Sequence, residues 1–478
     1  MEKDAGVKNS SEISTRKSVY FVLVSQVLVL VLGILKTLLI PAVVGINDFA
    51  YWQIYVFYVA YVGLFTLGFN DGIYLRYGGV DYGRLDNGRM RSSIRVYFIY
   101  LLVVTALMSS ICLAEPDRDK QIVLCLASLN IVLMGMMAVF SFVLQATGRL
   151  KRFGVISAID KILFLVFLLA LFLASTKFFI WFVLAELVSK VVALGFMCVS
   201  CWELIKGPGS SLDEACAEVR ENVTCGLKLM FANLSGMLVL GIGRIVIEHW
   251  GTLQEYAFYA FGVSMTNLAL VALTSISVVI YPVLKRLPEG EFLRYYDDAN
   301  SKLFKFNLFM LGGYFPVVWL ITYQLPKYVP VIPYLSLLFV VSVLQSKMQL
   351  LNNNFYKALR FEGAMLRANV ESLVVALVLS LVLYALHRTA VAIAFAALLT
   401  MLYRVFMSER FLRGAVGGAG YTNIFLEIGA YSIFIAITSV FNVMTAFCVY
   451  CFVFGIYIFY AKHEFKELTR FVVKGEKT

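Results

Sequence analysis

The sequence predicts an all-α membrane protein that crosses the bilayer about fourteen times. Three observations predict it. Of the 478 residues, 61% are hydrophobic and only 15% charged, a balance outside the range of soluble domains. Apolar stretches of roughly 20 residues, the length of one bilayer-crossing helix, recur from Ser18 to Tyr460. Basic residues alternate between loops: about 27 of the 41 Lys and Arg fall in every second loop and both termini, and about 5 in the opposite loops.

The spans follow in order. Lipid cannot hydrogen-bond a bare backbone, so each must be a helix. The first, 18–43, follows Arg16 and Lys17; it is too long for a signal-peptide core and lacks a small-residue cleavage pattern, so it stays attached. Span 49–70 follows the turn Gly45–Asp48, and 93–114 follows the basic loop of Arg84, Arg89 and Arg91. Span 121–147 precedes Arg149, Lys151 and Arg152. Spans 154–175 and 178–203 form a hairpin at Thr176–Lys177. The longest connection, Glu203–Cys225, opens with Lys206-Gly-Pro-Gly-Ser-Ser; Ser211-Leu-Asp-Glu214 then reads as a capping box for a short surface helix. Spans 226–247, 256–283, 303–324, 331–351, 366–386 and 390–408 complete a second set, with Lys285, Arg286, Arg294, Lys357 and Arg360 in its basic loops. Spans 424–441 and 444–461 lead into Lys462, Lys466, Arg470 and Lys474. The poor loops hold Arg118, Lys120, Lys177, Lys327 and Arg388. The resulting plan is a cytoplasmic tail 1–17, an N-lobe 18–203, a cytoplasmic link 204–225, a C-lobe 226–408, two further helices within 424–461 and a cytoplasmic tail 462–478.

The two lobes repeat one another. Leu30–Lys36 reads LVLGILK and Leu238–Arg244 reads LVLGIGR. Asp48-Phe-Ala-Tyr-Trp52 matches Glu255-Tyr-Ala-Phe-Tyr259, Ile73-Tyr74 matches Ile280-Tyr281, and Arg152-Phe153 matches Arg360-Phe361. All fall at an offset of 207 or 208 residues. Six spans per lobe give both lobes the same orientation, as in parallel-repeat transporters.

Charges within the spans require a reason, because one at the bilayer centre costs roughly 2.5–3.5 kcal/mol on insertion scales. Lys36 and Arg244 occupy matching places in the first and seventh spans, each topping a polar stripe with Ser25 or Asn233 and flanked by Gly33 or Gly241. Each cation either snorkels to the outer headgroups or faces a cavity shared by the lobes; its recurrence favours the cavity. The fifth and sixth spans carry Asp160, Lys161, Glu186 and Lys190, and folding their hairpin brings the four to similar depth. They form either a self-neutralised network or a cationic surface whose acids, Asp160 and Glu186, hold the lysines or carry a coupling ion. Asp71 and Arg76 read as caps, and Lys347, Glu371, Arg404 and Glu427 as snorkelling residues near helix ends. Trp52, Trp181, Trp250, Trp319 and Trp202 read as interfacial belts.

No GxxxxGK[ST], HExxH or GxSxG pattern occurs, and three His with eight scattered Cys make no metal-ligand spacing, so no cofactor, metal or catalytic site is expected. Most of the basic charge is an orientation signal, which argues against nucleic acid. Outer loops this short cannot hold the site of a membrane polymerase or glycosyltransferase.

In layout, and in Gly68-Phe-Asn-Asp-Gly-Ile-Tyr74 and Gln345-Ser-Lys-Met-Gln-Leu-Leu-Asn-Asn-Asn-Phe-Tyr-Lys357 closing the second and tenth spans, the chain resembles the polysaccharide transporter flippases of the multidrug/oligosaccharidyl-lipid/polysaccharide exporter superfamily. The resemblance implies alternating access of two lobes. It also implies a cargo of polyprenyl-pyrophosphate-linked oligosaccharide, an O-antigen or capsule unit, moved between the leaflets of a bacterial plasma membrane. A polysaccharide polymerase and a chain-length regulator would then be partners beside the membrane lipid. Lys36, Arg244, Lys161 and Lys190 would bind the anionic pyrophosphate, and Tyr51, Tyr55, Tyr58 and Tyr61 either line a sugar route or pack. The alternative within the superfamily is a multidrug antiporter, which normally meets its cationic cargo with buried acids.

Overall fold

The computed structural model describes residues 31–284, 288–418 and 422–460, apart from the side chains of 269, 271–283, 289, 422–423 and 458–460. Ser25, the two expected tails and Lys285–Arg286 lie outside the described residues. The described chain is helical throughout, with no strand. In order the helices are α1 Val31–Val43, α2 Ile46–Ala60, α3 Phe69–Arg76, α4 Asn87–Cys112, α5 Arg118–Ala146, α6 Leu150–Leu173, α7 Phe179–Ser200 and α8 Leu212–Trp250. They continue with α9 Leu253–Leu284, α10 Phe292–Gly312, α11 Tyr314–Gln324, α12 Ile332–Lys347, α13 Asn353–Ala358, α14 Glu362–His387, α15 Ala390–Ala415, α16 Thr422–Val440 and α17 Val443–Tyr460. Ten helical stretches among the described residues are long and apolar enough to cross a membrane, and three shorter apolar ones accompany them. This is a multi-pass membrane protein.

The chain divides into two compact units, Met1–Met237 and Leu238–Thr478. In the first, α2 packs on α5 and α7, α4 on α5, and α6 on α7. In the second, α9 packs on α12 and α15, α10 on α12, and α14 on α15. Each unit therefore has the same helix adjacency, and α16 and α17 are added against α10, α11 and α12. The matched acids of the repeat do matched work. Asp48 accepts the Phe179 amide at the start of α7 (3.3 Å), and Glu255 accepts the Tyr384 hydroxyl near the end of α14 (3.0 Å). Each ties its helix to a hairpin, α6–α7 in one unit and α14–α15 in the other.

Local chemistry sets the helix starts. Asp86 accepts the Arg89 amide, Asp117 those of Asp119 and Lys120, Ser211 that of Glu214, and Thr389 that of Ala392. The Ser211 cap opens one continuous 39-residue helix rather than a short surface helix followed by a separate span. No proline interrupts Leu212–Trp250, so the helix propagates, and the division between units falls inside it.

The second span is broken. After α2 the chain passes through a 3₁₀ turn, Val62–Thr66, then through Leu67 and Gly68, both at positive φ, into α3. The break lets α3 lie against the first half of α8 with backbone touching backbone. A Cβ on Gly72 would sit 2.0 Å from the Asn222 carbonyl oxygen, and one on Gly226 would sit 2.0 Å from the Gly68 carbonyl oxygen. Arg76 and Arg89 then pair with Glu218 (2.6 and 3.0 Å), and Arg76 with Glu221 (2.5 Å). Arg76 is thus a clamp between α3 and α8 rather than a cap.

Gly72→Ala is expected to destabilise the protein by about 1–3 kcal/mol, the usual cost of overpacking. Gly33→Ala, where a Cβ meets nothing within 4 Å, is expected to be tolerated. Thermal melting of the two variants in detergent checks the contrast. At Asp117, partial burial opposes the charge, but the Tyr51 hydroxyl (2.7 Å) and two amides outweigh it and hold the carboxyl below its usual range. Its contribution is therefore complete above the ordinary carboxylate pKa and lost as pH falls through the lowered one. Asp117→Ala is expected to cost about 1 kcal/mol at neutral pH; that loss should vanish in acid melts.

Candidate functional site

The first unit gathers the expected cations around one tryptophan. Trp52 on α2 is 1% exposed, stacks on Phe164 of α6 and meets the ring of Phe182 of α7 edge-on, both at 6.4 Å. It is therefore core and not part of an interfacial belt; Trp181, Trp202, Trp250 and Trp319 are exposed as a belt requires. On α1, Lys36 sits with its ammonium 5.7 Å from the Trp52 ring centre, a cation–π distance. Lys36 also lies within electrostatic reach of Glu186, Lys161, Lys190 and Asp160. Two groups of charges separate in the sequence, one on the first span and one on the fifth and sixth, form one cluster.

Inside that cluster the pairings are specific. Lys161 donates to Asp160 at 2.6 Å, and Lys190 pairs with Glu186 at 3.1 Å. Lys190 also donates to Asn130 Oδ1 (2.8 Å), whose Nδ2 donates to the Tyr55 hydroxyl (3.1 Å). Asn130 and Tyr55 are fully buried, so this chain fixes the Lys190 ammonium from the α5 side. Tyr55 and Tyr51 are buried, as packing requires, while Tyr58 and Tyr61 are half-buried. With Lys161 and Lys190 each holding one acid, Lys36 has no carboxylate within ion-pair distance among the described residues. Three lysines face two carboxylates, and Glu186 Oε2 has no hydrogen-bond partner. The cluster carries one positive charge in excess.

Arg244 belongs to the second unit, half-buried on α8 and within electrostatic reach of Tyr259 of α9. Asn233, expected on the same stripe, falls on the other side of the division. It lines a small cavity of about 220 Å³ in the first unit with Thr66, Asn70 and Asp71.

The second unit holds a charged core that reading for snorkelling residues missed. Lys347, Arg404 and Glu427 are 1%, 1% and 3% exposed and so buried in protein. Only Glu371, paired with exposed Arg367 at 2.8 Å, behaves as a surface residue. Lys347 donates to both Glu427 oxygens at 2.8 Å and to Glu409 Oε2 at 3.2 Å. Arg404 is held by Asn369 Oδ1 (2.7 and 3.1 Å) and Gln345 Oε1 (3.3 Å). A π-turn, Met348–Asn352, follows Lys347 directly. Glu409 and Asn300 carried no signal, because each lies beyond or before a hydropathy-defined span. Beside this core, α10, α16 and α17 border an open apolar cavity of about 840 Å³, lined by Phe304, Leu308, Phe425, Ala430, Ile437 and Phe454 among others.

No family model matches the sequence, and no curated protein matches it. Solved structures match its fold. A lipid II flippase, MurJ, in an inward closed conformation superposes with a TM-score of 0.58 at 12% identity, covering 93% of this chain and 99% of that one. A multidrug resistance MATE transporter of the MOP superfamily, inward-facing, gives 0.57 at 14% identity over 81% of this chain and 95% of its own. An outward-facing MATE structure gives 0.56 at 13% identity, over 84% and 96%. The fold is that of the MOP-superfamily transporters.

The pairing of Lys190 with Glu186 is testable by charge balance. Glu186→Gln leaves a buried ammonium held only by Asn130 and is expected to cost about 3–5 kcal/mol. Adding Lys190→Met should recover most of that loss in a melting assay. A double variant no better than the single one would show that the pair does not stabilise the fold.

Proposed function

We propose that this protein is a flippase. It moves a polyprenyl-pyrophosphate-linked oligosaccharide, an O-antigen or capsule unit, from the inner to the outer leaflet of a bacterial plasma membrane by alternating access. Both termini are cytoplasmic in this reading. The observation that carries it is the excess positive charge of the Lys36 cluster. An anionic pyrophosphate crossing hydrocarbon needs cations to replace its hydration, and a charge-assisted contact is worth roughly 1.5–3 kcal/mol. Lys36, whose neighbours Lys161 and Lys190 are already engaged by acids, is the group available to it. Arg244, at the repeat-equivalent position of the second unit, is the other candidate cation in this reading. The apolar cavity beside α16 and α17 offers a surface of the kind a polyprenyl tail needs, and the fold's likeness to MurJ is consistent with lipid-linked cargo. A polysaccharide polymerase and a chain-length regulator would use the product.

A multidrug antiporter shares this fold. The cationic excess argues against cationic drugs, since like charges repel in a low-dielectric site. Asp160 and Glu186 each hold a lysine, so an ion-coupling role for them requires that those pairs open during the cycle.

Lys36→Ala is expected to leave the protein inserted while cutting export of the lipid-linked glycan by about tenfold or more. Lys36→Arg should retain most of it. Accumulation of the lipid-linked glycan at the inner leaflet of cells carrying each variant measures this. Unchanged export by Lys36→Ala, or loss of cationic-dye efflux in its place, would overturn the reading.

A further inference from the structure

Two of the eight cysteines, distant from any recognisable motif, meet across the α4–α5 hairpin. Cys112 is the last residue of α4, and Cys125 lies two turns into α5. We propose that these two thiols are joined by a disulfide in the working protein, and that the bond staples the outer end of the hairpin. Calling that end outer rests on the reading in which both termini are cytoplasmic; the pairing itself does not.

The register of the two helices carries the pairing. Ser109 of α4 and Ser128 of α5 share a hydrogen bond of 2.6 Å. Further along the same seam, Gly135 packs so closely on α4 that a Cβ there would sit 2.7 Å from Leu101 Cδ1. In an antiparallel helix pair, three residues forward on one helix and three back on the other reach the next layer of the seam. Three forward from Ser109 is Cys112, and three back from Ser128 is Cys125. The Cys125 thiol donates to the Ser109 carbonyl (3.9 Å), between those two layers, and the two cysteines lie within electrostatic reach of each other. Two serines in direct contact hold their Cα atoms no more than about 7 Å apart, and a disulfide bridges roughly 4.4–6.8 Å. The backbones in this stretch therefore stand at a separation that one disulfide spans.

The intervening chain is already gathered. Gln121 Nε2 donates to the Leu113 carbonyl (2.8 Å), Glu115 pairs with Lys120 at 3.6 Å, and Asp117 caps α5 while accepting the Tyr51 hydroxyl of α2 (2.7 Å). A bond from Cys112 to Cys125 closes a covalent ring around that tip, so the loop that holds α2 is fixed at its base as well. Both thiols are half-buried, within reach of an oxidant. In the same reading Cys198, Cys201, Cys216 and Cys225 belong to the cytoplasmic side, where thiols stay reduced.

Oxidation needs an electron acceptor, and a protein disulfide in the outer compartment supplies one by exchange. One cysteine loses its proton and attacks that disulfide; a mixed disulfide forms and the first oxidant sulfur leaves as thiolate. The second cysteine, as thiolate, then attacks the sulfur of the first. The Cys112–Cys125 bond forms, and the oxidant departs as a dithiol with the two electrons and two protons.

The test uses the full chain in its membranes. Proteins are acid-quenched, free thiols are blocked with N-ethylmaleimide, and a polyethylene-glycol maleimide is added after reduction. Two of the eight thiols should appear only after reduction; Cys112→Ser or Cys125→Ser should abolish that gel shift, and Cys448→Ser should not. Trypsin cuts after Arg118 and Lys120, between the two cysteines, so unreduced digests should contain the flanking peptides joined through sulfur. In detergent, reductant should lower the melting temperature of the parent by about 3–6 °C and leave that of Cys112→Ser/Cys125→Ser unchanged. Direct alkylation of both cysteines, peptides that separate without reductant, or a parent that melts alike with and without reductant would each overturn the staple. Orientation is read separately from exposed Cys216. Its labelling in intact cells by a maleimide that cannot cross the membrane would overturn the cytoplasmic placement, and the disulfide would still stand or fall by its own gel shift.

Discussion

A charge surrounded by hydrocarbon and helix has no water to screen it, and that constraint organises both units of this protein. Three buried cations are each met by specific acceptors rather than by solvent. Lys190 has Glu186 and Asn130, Lys347 has Glu427 and Glu409, and Arg404 has Asn369 and Gln345. Apart from Glu186, which shares α7 with Lys190, the acceptors come from other helices, so satisfying a charge also fixes which helices are neighbours. The two clusters differ in balance: the Lys36 cluster has three lysines to two carboxylates, whereas the second core has Lys347 and Arg404 to Glu409 and Glu427. A remainder of charge in a low-dielectric site is costly to keep, and in the flippase proposal the lysine in excess is what meets an anion.

Departures from regular helix occur in both units. The break between α2 and α3 and the π-turn after Lys347 lie in the second and tenth spans, each of which packs at the centre of its unit. Irregular backbone at such depth is tolerable only where other helices cover it. At the first break the cover is α8, brought to backbone contact by Gly68, Gly72 and Gly226 and pinned by Arg76 and Arg89 on Glu218. The glycine-bearing run that closes the second span is thus a packing device: larger residues would push α3 and α8 apart and pull those ion pairs beyond reach.

Neither charged cluster gathers three metal-ligating side chains among the described residues. What the first offers is positive charge beside an aromatic face, at a position reached by four helices. What the second offers lies beside an apolar cavity bounded by the two helices that the repeat does not account for. Under the flippase proposal, the first feature would meet a phosphate group and the second a lipid tail.

The sequence by itself determined the membrane class, the helical content and the approximate position of most helices among the described residues, because each depends on local quantities: run length, hydropathy and residue identity. It also picked out Lys36, Lys161, Lys190, Asp160 and Glu186, since a charge in an apolar run is conspicuous. Tertiary structure decided which face of each helix meets a neighbour. Trp52 sits at a span end where an interfacial ring belongs, yet it is core, because α1, α6 and α7 close over it. Lys347, Arg404 and Glu427 lie close enough to helix ends to snorkel, yet they turn inward, because their partners approach from α10, α14 and α15. Hydropathy along one helix contains no information about what another helix presents across from it, and the pairing of charges between helices is where this protein's chemistry resides.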